Sequence, residues 1–158
     1  MDVIFTSKYL VIVGTFEFWR KWLLWANYMT MGVGLVVALA GNSIFLDPHN
    51  QATSRLFFGG NSIEGDMLLF KNWLFGIIGA TIVGFHLIMI FIIQYPFKKK
   101  ERWAHQALTA GLLSWFILDS SISAYYAAYY NIYLINLVAL ILIGVPLATT
   151  YQYFRRAN

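Results

Sequence analysis

Four stretches of this chain, residues 22–45, 73–95, 103–125 and 132–154, are apolar for long enough to cross ~30 Å of hydrocarbon as helices. Nothing else in the sequence restricts its fold as strongly. A segment in lipid must satisfy its own backbone hydrogen bonds, so the expected class is all-α: a polytopic membrane protein built as a four-transmembrane-helix bundle. Composition agrees, because only 11% of the residues are charged and 59% are hydrophobic, whereas a soluble domain is about a quarter charged. Trp or Tyr stands at both ends of most of these stretches, as it does where rings sit at headgroup level.

The basic residues orient the bundle. Arg20 and Lys21 precede the first stretch, Lys98 to Arg102 ("KKKER") joins the second to the third, and Arg155 and Arg156 follow the fourth. All three clusters fall on one side, which the positive-inside rule makes the cytoplasmic one, with both termini inside. Spread in short clusters between apolar runs, these residues track no phosphate backbone, so nucleic acid is not an expected partner.

Residues 1–21 read as a cytoplasmic segment whose helix lies at the membrane interface. The continuous apolar part from Tyr9 to Val13, bracketed by Lys8 and Glu17, is too short for a fifth span. On the opposite side, the loop 46–72 opens with Asp47-Pro48, a helix start, and meets Gly59-Gly60. That pattern predicts a short amphipathic helix over the mouth of the bundle, with Asp66 capping the second spanning helix. Small residues recur every four positions at Gly76, Ala80 and Gly84, and form similar stripes at Gly34, Ala38 and Gly41 and at Ala107 and Gly111, which marks close helix packing. Pro146 should free a backbone carbonyl in the fourth helix.

Polar residues inside the spans carry whatever chemistry there is. With ~1.5 Å of rise per residue, Asp119 lies roughly 24 Å above the basic boundary and His86 roughly 15 Å above it. A direct Asp–His pair is therefore not expected. Asp119 instead shares its level with Asn136 and is flanked by Ser120 and Ser123, with Asn131 and Asn42 slightly further out and a ring of tyrosines (Tyr125, Tyr126, Tyr129, Tyr130, Tyr133) around them. His86 stands at the height of Ser114. Asp119, Ser120, Ser123, Asn136, His86 and Ser114 are the candidate ligand-binding set. Two roles fit Asp119: a helix-to-helix hydrogen bond, or the polar anchor of a lipid, small-molecule or proton-linked site.

No cofactor is expected. Bis-histidine haem needs two imidazoles at one level, but His105 lies only about 3 Å above the boundary against about 15 Å for His86. His49 is in the loop, so no three-ligand metal set forms, and the chain has no cysteine. Phosphate loops, Ser-His-Asp arrangements and paired carboxylates are likewise missing.

The segment "GATIVGFHLIMIFIIQYPFKKKERWAHQALTAGLLSWFILDSSIS" carries a Gly-rich second span ending in "YPF", a basic turn before "ERWA", and "WF" followed by "LDSS". In these features it resembles small uncharacterised four-span bacterial integral membrane proteins. The resemblance implies a bacterial inner-membrane setting and no biochemical role. The expected function is non-enzymatic: binding a hydrophobic ligand or membrane lipid, or serving as a subunit of a homo-oligomer or larger membrane complex. The alternatives are a membrane enzyme on a lipid or isoprenoid substrate, using Asp119 and His86, and an oligomeric transporter unit.

Overall fold

The computed structural model describes the backbone of residues 3–155 and the side chains of residues 16–155. In it α1 covers Val3–Leu39, a 3-10 turn covers Ile44–Leu46, and α2 covers Asp47–Phe57. Next come α3 (Gly65–Ile92), which runs on as a π-helical turn (Ile93–Phe97), and α4 (Arg102–Tyr125). The last spanning helix comprises α5 (Tyr129–Asn131), a second π-helical turn (Ile132–Asn136) and α6 (Leu137–Arg155). Four of these helical segments, Phe16–Leu39, Gly65–Phe97, Arg102–Tyr125 and Tyr129–Arg155, are long and apolar enough to cross a membrane. The chain is thus an all-α, polytopic membrane protein with one shorter helix, α2.

Helix boundaries depart from the apolar windows for local reasons. The first spanning helix stops at Leu39, ahead of Gly41-Asn42, and does not reach residue 45. The second starts at Gly65, well before residue 73, because Asp66 to Asn72 continue the helix beyond the apolar window. Asp66 is not the cap: Glu64 holds that position in extended backbone without a side-chain cap bond, and Asp66 lies in the first turn, where its charge suits the helix dipole. α2 forms as expected, with Pro48 in its first turn. It stops where Gly59 and Gly60 take left-handed backbone (φ 63 and 84°), which costs glycine little.

The other two turns achieve the same geometry without glycine. Lys100 (φ 62°) and Ala127 (φ 56°) are left-handed. The following N–H groups reach back five residues, Glu101 N to Pro96 O at 3.0 Å and Ala128 N to Ser123 O at 2.8 Å. Those bonds define Schellman caps.

Residues 1–21 were expected at the interface. The backbone continues as one helix from Val3 into the first span. The side chains that would decide between an interfacial and a spanning placement belong to residues 1–15, outside the described ones.

The tightest pairing is α1 with α3. A Cβ on Gly79 would lie 2.7 Å from Ala38 Cα, and one on Gly34 would lie 2.8 Å from Ile82 Cγ2. The small face of α3 is therefore centred on Gly79. Gly84, expected in that face, looks into open space. α6 packs between α1 and α4, and α3 touches α4 mainly near their connecting turn. The apolar core lies at the basic end of the bundle, where Phe97 stacks with Phe16 (centroids 5.8 Å) and tilts against Phe154 (4.7 Å). Lys100 Nζ sits over the rings of Phe16 and Tyr153, at 5.1 and 5.5 Å. That contact draws α1, the α3–α4 turn and the end of α6 together at one end.

Candidate functional site in the polar interior

Three donors converge on one oxygen of Asp119. Asn131 Nδ2 donates to Oδ1 at 2.7 Å, Asn136 Nδ2 at 2.8 Å and Ser123 Oγ at 3.2 Å. The amides also tie in the serines: Asn131 Nδ2 reaches Ser123 Oγ at 2.8 Å and Asn136 Nδ2 reaches Ser120 Oγ at 3.0 Å. Asp119, Ser120, Ser123 and Asn136 therefore form one cluster between α4 and the last spanning helix, as their common height predicts. Asn136 is fully buried and Asp119 half-buried. Among the described residues no donor reaches the buried Oδ1 of Asn136.

The π-helical turn makes this convergence possible. In an α-helix residues five apart point about 140° away from each other. The turn at Ile132–Asn136 hydrogen-bonds from i to i+5, which brings residues five apart toward one face. Asn131 and Asn136 thus reach the same carboxylate oxygen.

His86 belongs elsewhere. Its Nδ1 lies 2.7 Å from Asn27 Oδ1, and Asn27 Nδ2 donates to Leu23 O at 2.7 Å. A backbone carbonyl only accepts, so the Asn27 amide must present its oxygen to His86. Nδ1 of the histidine is therefore the protonated nitrogen. Both side chains are buried, His86 at 8% exposure and Asn27 at 0%. Ser114, the partner expected from height, is exposed and is not bonded to His86. Height ranks residues along the bundle, but the direction each helix face points decides contact. His86 faces α1, the helix that α3 packs against most closely.

Sequence reasoning missed further interior polar contacts. Pro146 has no N–H, so the carbonyl four residues earlier, Leu142 O, loses its helical donor; Trp22 Nε1 of α1 supplies one at 3.1 Å. Buried His105 donates from Nε2 to Leu147 O at 2.9 Å, while Thr150 Oγ1 bonds Pro146 O at 2.6 Å. The open carbonyl is the one expected from Pro146, but no sequence signal named Trp22, whose ring is exposed, as its donor. Nothing in the sequence pointed to Asn27 as the partner of His86.

At the far end, α2 roofs the bundle. Thr53 Oγ1 donates to His49 O at 2.9 Å, so its single proton is used and Tyr130 OH donates to it at 2.8 Å. The His49 ring meets Tyr130 and Phe75 edge-on. Burial, and then the nearby Lys71 charge, hold the His49 imidazole below its ordinary pKa. Asn42, expected near Asp119, instead accepts from Lys71 Nζ at 2.7 Å. Of the tyrosine ring, Tyr125, Tyr126, Tyr129 and Tyr133 are exposed and Tyr130 is bonded inward.

Among the described residues no group of His, Cys, Asp or Glu is placed to hold a metal ion. No family model, curated protein or solved structure matches this chain, and a bacterial origin therefore has no support from such matches. The fold and its interior establish a small all-α polytopic membrane protein.

Proposed function

We propose that this chain is a non-enzymatic integral membrane protein that binds membrane lipid, with both termini cytoplasmic. One observation carries the first part: the interior groups that an enzyme would use are committed to separate helix–helix contacts. Asp119 Oδ1 takes three donors from its own helix and the last span, and His86 is held by Asn27 of α1. Among the described residues nothing links the two as an acid–base pair with a relay.

Lipid as the partner is supported by the outer surface. Trp103, Tyr125 and Tyr129 are more than half exposed at the ends of the spans, the level at which aromatic rings meet headgroups. The orientation rests on the gathering of the basic clusters at one end.

Native mass spectrometry of the full chain in mild detergent tests this reading. Phospholipid should stay bound to the wild type, and Asp119→Asn should lower the thermal midpoint without stripping that lipid. A chain that retains no lipid would overturn the binding assignment. Turnover of a lipid or isoprenoid substrate that vanishes in Asp119→Asn, with the thermal midpoint unchanged, would overturn the non-enzymatic one.

A further inference from the structure

A groove of about 660 Å³ opens at the loop end between α2, the end of α1 and the start of α3, within the volume range of small-molecule sites. Its polar lining includes Asn42, Asp47, Asn50, Ser54, Arg55 and Lys71. With Gln51, also in the lining, Asp47, Asn50, Ser54 and Arg55 fall at i, i+3, i+4, i+7 and i+8, the spacing that gathers them on one broad face of α2. Asp47 and Arg55 sit at opposite ends of that face, about 12 Å apart along the helix axis, so neither neutralises the other. The ion pair between Arg20 and Glu17 lies at the other end of the molecule, and neither Asp47 nor Arg55 makes a side-chain hydrogen bond or ion pair among the described residues. Lys71, which bonds Asn42, is near enough to Asp47 to feel its charge.

A second, independent observation points to an occupant. Asn50 Nδ2 donates to Gly41 O at 3.0 Å, which fixes the amide, and its Oδ1 is buried with no donor reaching it. A buried acceptor left open beside a carboxylate asks for a ligand that donates, and the two cations ask for a ligand that is also anionic. Ile63 and Leu68 complete the lining, and Ile44 and Phe45, in the stretch between Asn42 and Asp47, are exposed at 77% and 82%. The rim is therefore apolar at the level where a spanning helix ends.

We infer that this groove binds the headgroup of an amino-phospholipid. The phosphate lies with Arg55 and Lys71, the ammonium donates to Asp47 and to Asn50 Oδ1, and the acyl chains leave over Ile44 and Phe45. This rests on the lipid-binding reading above and assigns it a site and a headgroup class.

The test is native mass spectrometry of the full chain in mild detergent. The probes are dioleoyl phosphatidylethanolamine, dioleoyl phosphatidylglycerol and soluble glycerophosphoethanolamine. Asp47→Asn should weaken retention of phosphatidylethanolamine about tenfold and leave phosphatidylglycerol unchanged, whereas Arg55→Gln should weaken both about tenfold. Both positions are exposed, so thermal midpoints should stay at the wild-type value and show that the variants are folded. Equal retention of the two lipids by the wild type overturns the ammonium subsite. Glycerophosphoethanolamine bound as tightly as the acylated lipid overturns the lipid assignment in favour of a soluble phosphoamine. Retention unchanged in both variants overturns the groove while leaving lipid binding intact, and no retained lipid of any kind overturns both.

Discussion

The two ends of this bundle are held together by different means. At the basic end Phe97 and Phe154 pack against buried His105, Phe16 packs on both phenylalanines, and a lysine caps the ring cluster. At the loop end the contacts are hydroxyls and amides gathered on one carboxylate, with a roof helix fastened by a Thr53–Tyr130 bond. Lipid tails are as apolar as the side chains they would replace, so apolar burial alone gives spanning helices little reason to associate. Packed rings dominate the basic end, whereas the loop end combines directed hydrogen bonds with the close approach of α1 and α3 at Ala38 and Gly79. Packed rings hold helices with some rotational tolerance, but an amide aimed at a carboxylate fixes both height and rotation.

Disturbing the close approach of α1 and α3 should have the largest effect. Gly79→Leu puts a side chain into the backbone of α1, where a Cβ alone would be 2.7 Å from Ala38 Cα. It should cost about 3 kcal/mol or prevent folding, measured as loss of steric trapping or thermal stability in detergent. Gly84→Leu, which meets open space, should change stability by less than about 0.5 kcal/mol.

Removing the carboxylate at the loop end should come next. Asp119→Ala deletes three hydrogen bonds, and at the ~0.6 kcal/mol typical of such bonds in a membrane bundle the cost is about 2 kcal/mol. Hydrogen exchange should locate the loosening in residues 123–136 and leave the phenylalanine cluster protected. Loosening that spreads equally to both ends would show that they are not independent.

A smaller contrast compares the two left-handed turns. Relieving a left-handed alanine with Ala127→Gly should stabilise by about 1 kcal/mol. Lys100→Gly relieves the same backbone but removes a cation from over Phe16 and Tyr153. That loss, worth about 0.5–1 kcal/mol, should cancel most of the gain. Equal stabilisation in thermal melts would deny the lysine any part in the ring cluster.

The smallest effect should follow pH. His49 is held below its ordinary value of 6.5 by burial and by Lys71, so its folded pKa lies below its unfolded one. The associated stability is complete above about pH 6.5 and is lost as pH falls from there through the folded value. Hydrogen exchange in α2 should therefore quicken on acidification through that window, and His49→Phe should remove the dependence.

The spans were legible because apolarity over a membrane thickness and flanking charge are properties of single segments. The level shared by Asp119 and Asn136 was legible too, since helical rise is nearly constant. Rotation was not. Four-residue spacing marks a small face on α3 but does not say which residue meets α1, and Gly79 rather than Gly84 does. Equal height put His86 beside Ser114, while its helix face turns toward Asn27. The turns at Lys100 and Ala127 lacked the glycine that usually signals them. The π-helical turn leaves no composition mark, so Asn131 looked merely close to the cluster that it completes.

That turn has a further consequence. A turn closed five residues back carries one residue more than an α-helical turn, so it works as a phase shift between two lengths of helix. Tyr130 and Asn131, upstream of it, keep one angular setting, and Ile143, Leu147 and Phe154, downstream, keep another. Winding it instead as an ordinary α-helix, with no residue removed, would swing the upstream pair by about 100°. The core contacts of α6 would stay in register. The roof and the carboxylate would both lose their partners to a change that touches neither, which makes this helix a dial whose setting determines whether the loop end is shut.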